Sequence, residues 1–134
     1  MTSIEGNSPV ASAVTLTTDN FESTITDNGI VLVDFWASWC GPCRAFAPVF
    51  EQAAVEHPGI VFAKVDTEDQ QELAATFNIR SIPTLMIFRE QVLIYSQPGA
   101  LPAPALTDLI EKVRALDMEA VHAEIAKQQA DTPA

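Results

Sequence analysis

Two cysteines, Cys40 and Cys43, are the only ones in this chain of 134 residues, and Gly41 and Pro42 separate them. An offset of three is close to one helical turn, so both sulfurs fall on the same side of that turn, near enough to close a disulfide. The flanking residues place them at a helix start. Ile30 to Val33 is an apolar, β-branched run that reads as a buried strand. Ala37 and Ser38 make a small turn, and after Cys43 the apolar residues Phe46, Val49, Phe50, Ala53 and Ala54 recur at helical spacing. Pro42 is tolerated because the first helical turn has no use for its missing N–H. A thiol at that position meets the positive end of the helix dipole and unpaired backbone N–H groups, both of which favour thiolate. Cys40, the outer one, is the expected nucleophile, and Cys43, one turn inside, the expected resolving thiol of a thiol–disulfide exchange.

Zinc is the competing use of paired cysteines. It needs four ligands, and here there is one pair, with His57 and His122 at no ligand spacing. Asp34 is the second informative residue, because it interrupts an otherwise apolar strand. A carboxylate there is desolvated, which favours its neutral form and raises its pKa. Simple alternation turning Asp34 out to water is the alternative, disfavoured by the absence of polar alternation around it.

The elements that must position these groups can be read along the chain. Residues 1 to about 13 mix Ser, Gly, Asn, Pro and Ala without periodicity and read as a flexible tail. Val14 to Thr17 could add an edge strand. Asp19 or Thr18 is expected to cap a short helix through about Ile25, ended by Asn28-Gly29. The strand to Trp36 and a helix from Cys40 to about His57 follow, with Pro48 expected to kink that helix and Pro58-Gly59 to end it. Ile60 to Val65, broken by Lys64, is a second strand, paired in parallel through a right-handed crossover. A short helix ends at Phe77. Leu85 to Phe88 and Val92 to Ser96 read as an antiparallel hairpin turning at Arg89-Glu90-Gln91. Pro102 to Leu116 is a helix with Leu106, Leu109, Ile110, Val113 and Leu116 as its stripe. Asp117 to about Gln129 carries a thin helical stripe, Met118, Val121, His122 and Ile125, which could serve a partner or self-association but is expected to be a frayed continuation of that helix.

The whole is one α/β domain, about 14 to 116, with a C-terminal helical extension and tail at 117 to 134. Its size permits a self-sufficient core. A net charge of −11 argues against nucleic acid and anionic membrane surfaces as partners. No apolar run is long enough for a membrane span, and the N-terminus has neither the basic start nor the apolar core of a secretory signal. One redox pair in place of a disulfide framework fits a reducing cytosol, so a cytoplasmic protein is expected.

Asp34-Phe35-Trp36-Ala37-Ser38-Trp39-Cys40-Gly41-Pro42-Cys43 resembles the active-site segment of thioredoxins, and Ile82-Pro83-Thr84 is similar to that family's cis-proline segment, in the same order and spacing. The resemblance runs from about Thr15 to Leu116. It implies the thioredoxin fold: a central mixed five-stranded sheet flanked by helices on both faces. It implies that Asp34 is a buried acid exchanging protons with Cys43, that Lys64 is its partner lysine, and that Pro83 is cis, in a loop facing the disulfide. Trp39, Ile82, Pro83, Gly99 and Ala100 would form the docking surface around Cys40, and Trp39, Gly41 and Pro42 the active-site loop. Trp36 is expected to pack and Trp39 to be exposed. Arg44 could favour thiolate or simply be solvated. Ser81, Pro98 and a hairpin turn without glycine depart from the family pattern; the first two bear on partner choice, not on the chemistry.

The function so implied is reduction of protein disulfides by a monomer with no bound cofactor. Its electrons would come from NADPH through a flavoprotein, thioredoxin reductase, and pass to disulfide-containing client proteins. Two alternatives stand beside it. An oxidant or isomerase is disfavoured by the absence of His between the cysteines; a redox-independent binding or chaperone module would survive Cys40→Ser.

Overall fold

The apolar strand that precedes the cysteines is the centre of the sheet. A computed structural model of the chain describes residues 13–131; the expected N-terminal tail lies almost wholly outside them. Ten elements run in the order β1 (Val14–Thr15), α1 (Phe21–Asp27), β2 (Ile30–Trp36), α2 (Gly41–Glu56), β3 (Val61–Asp66), α3 (Gln71–Thr76), β4 (Thr84–Arg89), β5 (Val92–Pro98), α4 (Ala103–Ala115) and α5 (Met118–Asp131). The five strands form one sheet ordered β1-β3-β2-β4-β5. β3 pairs in parallel with β1 and β2, whereas β2–β4 and β4–β5 are antiparallel.

Both faces of β2 are covered, which is why it reads as a continuous apolar run. Val31, Val33 and Phe35 join Leu16, Phe21, Ile25, Ala63, Val65, Leu73, Met86 and Phe88 on the side of α1 and α3. Leu32 joins Phe46, Phe50, Phe62, Leu85, Ile87, Leu106 and Ile110 on the side of α2 and α4. The period of two puts Asp34 on the same face as Leu32, beneath the helix that begins at the cysteines. α2 continues through Pro48 to Glu56 and stops at His57, followed by Gly59 with φ of 96°.

Three expectations need correction. The residue preceding α1 is Asn20, not Thr18 or Asp19. Its Oδ1 accepts the Thr17 N–H at 2.7 Å, so it closes the turn before the helix and makes no side-chain cap. The β4–β5 hairpin forms as expected, but Arg89 is the last residue of β4, so the turn is Glu90 and Gln91 alone, both with positive φ (52° and 70°), the backbone of a two-residue turn that usually recruits Asn or Gly. The C-terminal extension is not a continuation of α4. Leu116 leaves the helical region (ψ 140°), and α5 starts anew at Met118, whose side chain is buried. Arg89 fixes this break: its Nη1 donates to the carbonyls of Val113 (2.7 Å), Arg114 (3.1 Å) and Leu116 (3.0 Å), the ends that a terminating helix leaves unpaired. His122 Nε2 lies 2.8 Å from Glu90 Oε1 and ties α5 to the hairpin turn. Among the described residues no helix is long and apolar enough to cross a membrane.

Candidate active site

Cys40 is the residue that caps α2. Its backbone is extended, and its sulfur accepts the backbone N–H of Cys43 at 3.1 Å, the place where Ser or Asp caps an ordinary helix. An N–H aimed at this sulfur favours negative charge on it when the pair is reduced. The two residues form a disulfide, their Cα atoms 5.2 Å apart. Gly41 and Pro42 are the first two helical residues, both exposed, with no other group crowding Gly41. Cys40 and Cys43 are nearly equally buried, at 4 % and 3 % exposure. The outer and inner cysteines therefore differ in their neighbours more than in their access to water.

The Ile82–Pro83 peptide bond is cis. The Ile82 carbonyl oxygen lies 3.7 Å from Cys40 Sγ, so the loop before β4 faces the disulfide as expected. Gly99 N–H donates to the Pro83 carbonyl at 2.8 Å, and Gly99 has φ of 108°, a left-handed conformation suited to glycine. That bond brings the Gly99–Ala100 loop beside the cis-proline loop. Trp39 is 64 % exposed, and its indole N–H donates to Glu68 Oε2 at 3.3 Å. The expected surface residues thus gather at one end of the sheet, around the C-terminal end of β2.

Asp34 is fully buried. Neither carboxylate oxygen meets a hydrogen-bond partner among the described residues. Desolvation pushes its pKa up from 3.8 to about 7, and the positive charge of Lys64 opposes that rise. Lys64 is the register partner of Asp34 across β2–β3, but its ammonium is shared elsewhere. Nζ lies 4.0 Å from Glu51 Oε2 and 4.8 Å from the centre of the Trp36 ring. Trp36 is half-buried, a packing residue as expected, with the added task of holding that cation.

Several supports of the site escape a reading of spacing. Arg44 Nη1 donates to the Ser38 carbonyl at 2.8 Å, which ties its side chain to the turn entering Cys40. Thr67 donates through both N–H (2.8 Å) and hydroxyl (3.0 Å) to the Trp36 carbonyl and so closes the end of β2. Glu68 carries no signal except its place in an acidic loop.

Comparison with known proteins agrees with this geometry. Residues 12–112 match the family model described as Thioredoxin. The chain is 60 % identical over 121 residues to putative thioredoxin 2 of Streptomyces coelicolor, spanning 90 % of each chain. It is 41 % identical over 105 residues to thioredoxin 1 of a Nostoc species, covering 77 % of this chain and 98 % of that one. Among solved structures, a single-site mutant of thioredoxin from Halobacterium salinarum superimposes with a TM-score of 0.73 at 33 % identity, covering 83 % of this chain and 98 % of that one. The short form of spinach chloroplast thioredoxin F gives 0.72 at 28 % identity, covering 81 % and 99 %. The chain therefore belongs to the thioredoxin family, and its Cys40–Cys43 pair makes it a thiol–disulfide oxidoreductase that reduces protein disulfides.

Proposed function

We propose a division of labour within the pair and a path for its electrons. The Cys40 thiolate attacks a client disulfide, forming one mixed disulfide bond and releasing the client's other sulfur as a thiolate. Asp34 then takes the Cys43 proton. The Cys43 thiolate attacks Cys40 Sγ, the client's second sulfur leaves with its electron pair, and the Cys40–Cys43 bond closes. Two electrons have passed to the client. Lys64 is a positioning residue that moderates the charge on Asp34.

The client lies over Trp39, Ile82, Pro83, Gly99 and Ala100, with an extended segment pairing to the backbone before Pro83. The observation that carries this reading is the Ile82 carbonyl beside Cys40 Sγ, because it sets a backbone acceptor next to the sulfur that receives the client. Thioredoxins hold no cofactor of their own. NADPH, working through a flavoprotein thioredoxin reductase, is the electron source in this reading, and the chain acts as a monomer in the cytoplasm. Its domain spans 14 to 116, with the C-terminal extension beyond.

Trapping tests the assignment. Cys43→Ser should accumulate a covalent adduct with a disulfide-bearing client, visible by intact mass, and Cys40→Ser should form none and reduce nothing. Adducts on Cys43 in the Cys40→Ser variant would reverse the roles. Undiminished function of Cys40→Ser would favour a redox-independent binding module.

A further inference from the structure

Beside the cis-proline loop lies a cleft of about 170 Å3 between the segment entering β4 and the end of β5. Asn78, Arg80, Ser81 and Ser96 give it a polar wall. Arg80 is exposed, and its Nε donates to Asn78 Oδ1 at 3.2 Å. Asn78 itself has φ of 55°, a conformation asparagine tolerates better than most residues. Arg80 meets no carboxylate within ion-pair distance among the described residues, although the chain carries 18 acidic residues. A guanidinium held by a neutral amide keeps its remaining N–H donors and its full charge for another partner. The surroundings of Trp39 have the reverse character: Glu68 accepts its indole N–H, with Asp69 next in the same turn and Asp66 at the end of β3.

We infer that Arg80 and its cleft select clients, by receiving a carboxylate side chain that lies within a few residues of the client's reacting cysteine. Arg80 is two positions before Ile82, whose carbonyl is at the disulfide. Ser81, directly before Ile82, and Thr84, directly after Pro83, both line the cleft, so it adjoins the carbonyl that an extended client segment would cross, and a side chain of Asp or Glu size fits its volume. Serine hydroxyls on the wall add donors for the same oxygens. The inference rests on the docking reading above and adds a charge preference with a direction: acid toward Arg80, disfavoured toward Glu68.

The test uses disulfide-bonded model peptides in which one Glu is moved through the positions flanking the cysteine, each compared with its Gln counterpart. With the full chain at low ionic strength, kcat/KM should favour Glu over Gln by about threefold to fivefold at one or two positions on one side only. Rising salt should erode that ratio. Arg80→Gln should bring it to about one, and Arg80→Lys should restore part of it. A ratio of one in the parent protein, or a preference that persists in Arg80→Gln, overturns the assignment. Failure to reduce even the Gln peptides would overturn the reductase reading itself, and this inference with it.

Discussion

Asp34 sets the most direct test at the scale of single residues. Its pKa is pushed up to about 7 because the carboxylate is desolvated, with Lys64 countering only in part. In the unfolded chain the same group ionises near 3.8, so the folded state holds its proton more tightly between those values. Stability therefore falls as pH rises from about 4 to 7 and is level above that. Asp34→Asn removes the ionisation. We expect the variant to match the parent near pH 4, to be more stable by about 4 kcal/mol at pH 8, and to exchange thiols more slowly at neutral pH. Denaturant titrations at the two pH values check the first part; equal stability at pH 8 would place the acid in water. The origin of this behaviour is legible in the sequence, since an acid inside Val31-Leu32-Val33-Asp34-Phe35 has no polar alternation to carry it outward. The two cysteines are legible for the same local reason. The Trp39–Glu68 and Arg44–Ser38 contacts are not, because loops, and not a repeating pattern, bring those atoms together.

At the scale of elements, periodicity located every strand and helix of the core, since each is either a short apolar run or a stripe of turns. What it could not locate is the break between α4 and α5. Leu116 and Asp117 carry no glycine or proline, and the break depends on Arg89, which reaches across from the end of β4. The place of the hairpin turn is legible, but its conformation is not: Glu90 and Gln91 adopt left-handed backbone without the residues that advertise it. The break has a consequence for α5. This helix rests on the body through buried Met118 and the His122–Glu90 contact, at the end of the sheet where Ile30 pairs with Arg89, opposite the disulfide. Ending the chain after Leu116 should cost about 2 kcal/mol, mostly the lost burial of Met118, and leave the rate of reduction of a small disulfide unchanged. Thermal unfolding and a turnover assay of the shortened protein measure both; a slower rate would connect α5 to the chemistry.

At the scale of the molecule, the net charge of −11 acts on every client before contact. A field of that sign draws cationic partners and repels anionic ones, an effect on encounter rate that salt removes. Reduction of a Lys-rich client should therefore slow as ionic strength rises from low to physiological, by on the order of tenfold in kcat/KM, while an acidic client of the same size should gain. Stopped-flow rates against salt concentration decide it, and parallel slopes for the two clients would exclude steering. The disulfide itself spans only Cys40 to Cys43. A ring that small removes little freedom from the unfolded chain, about 2 kcal/mol on the loop-entropy model. Cohesion comes instead from the two apolar layers either side of the sheet. The molecule thus trades a bond it hardly leans on: filled or emptied of two electrons, it stays on the same side of its unfolding transition and is ready for the next exchange.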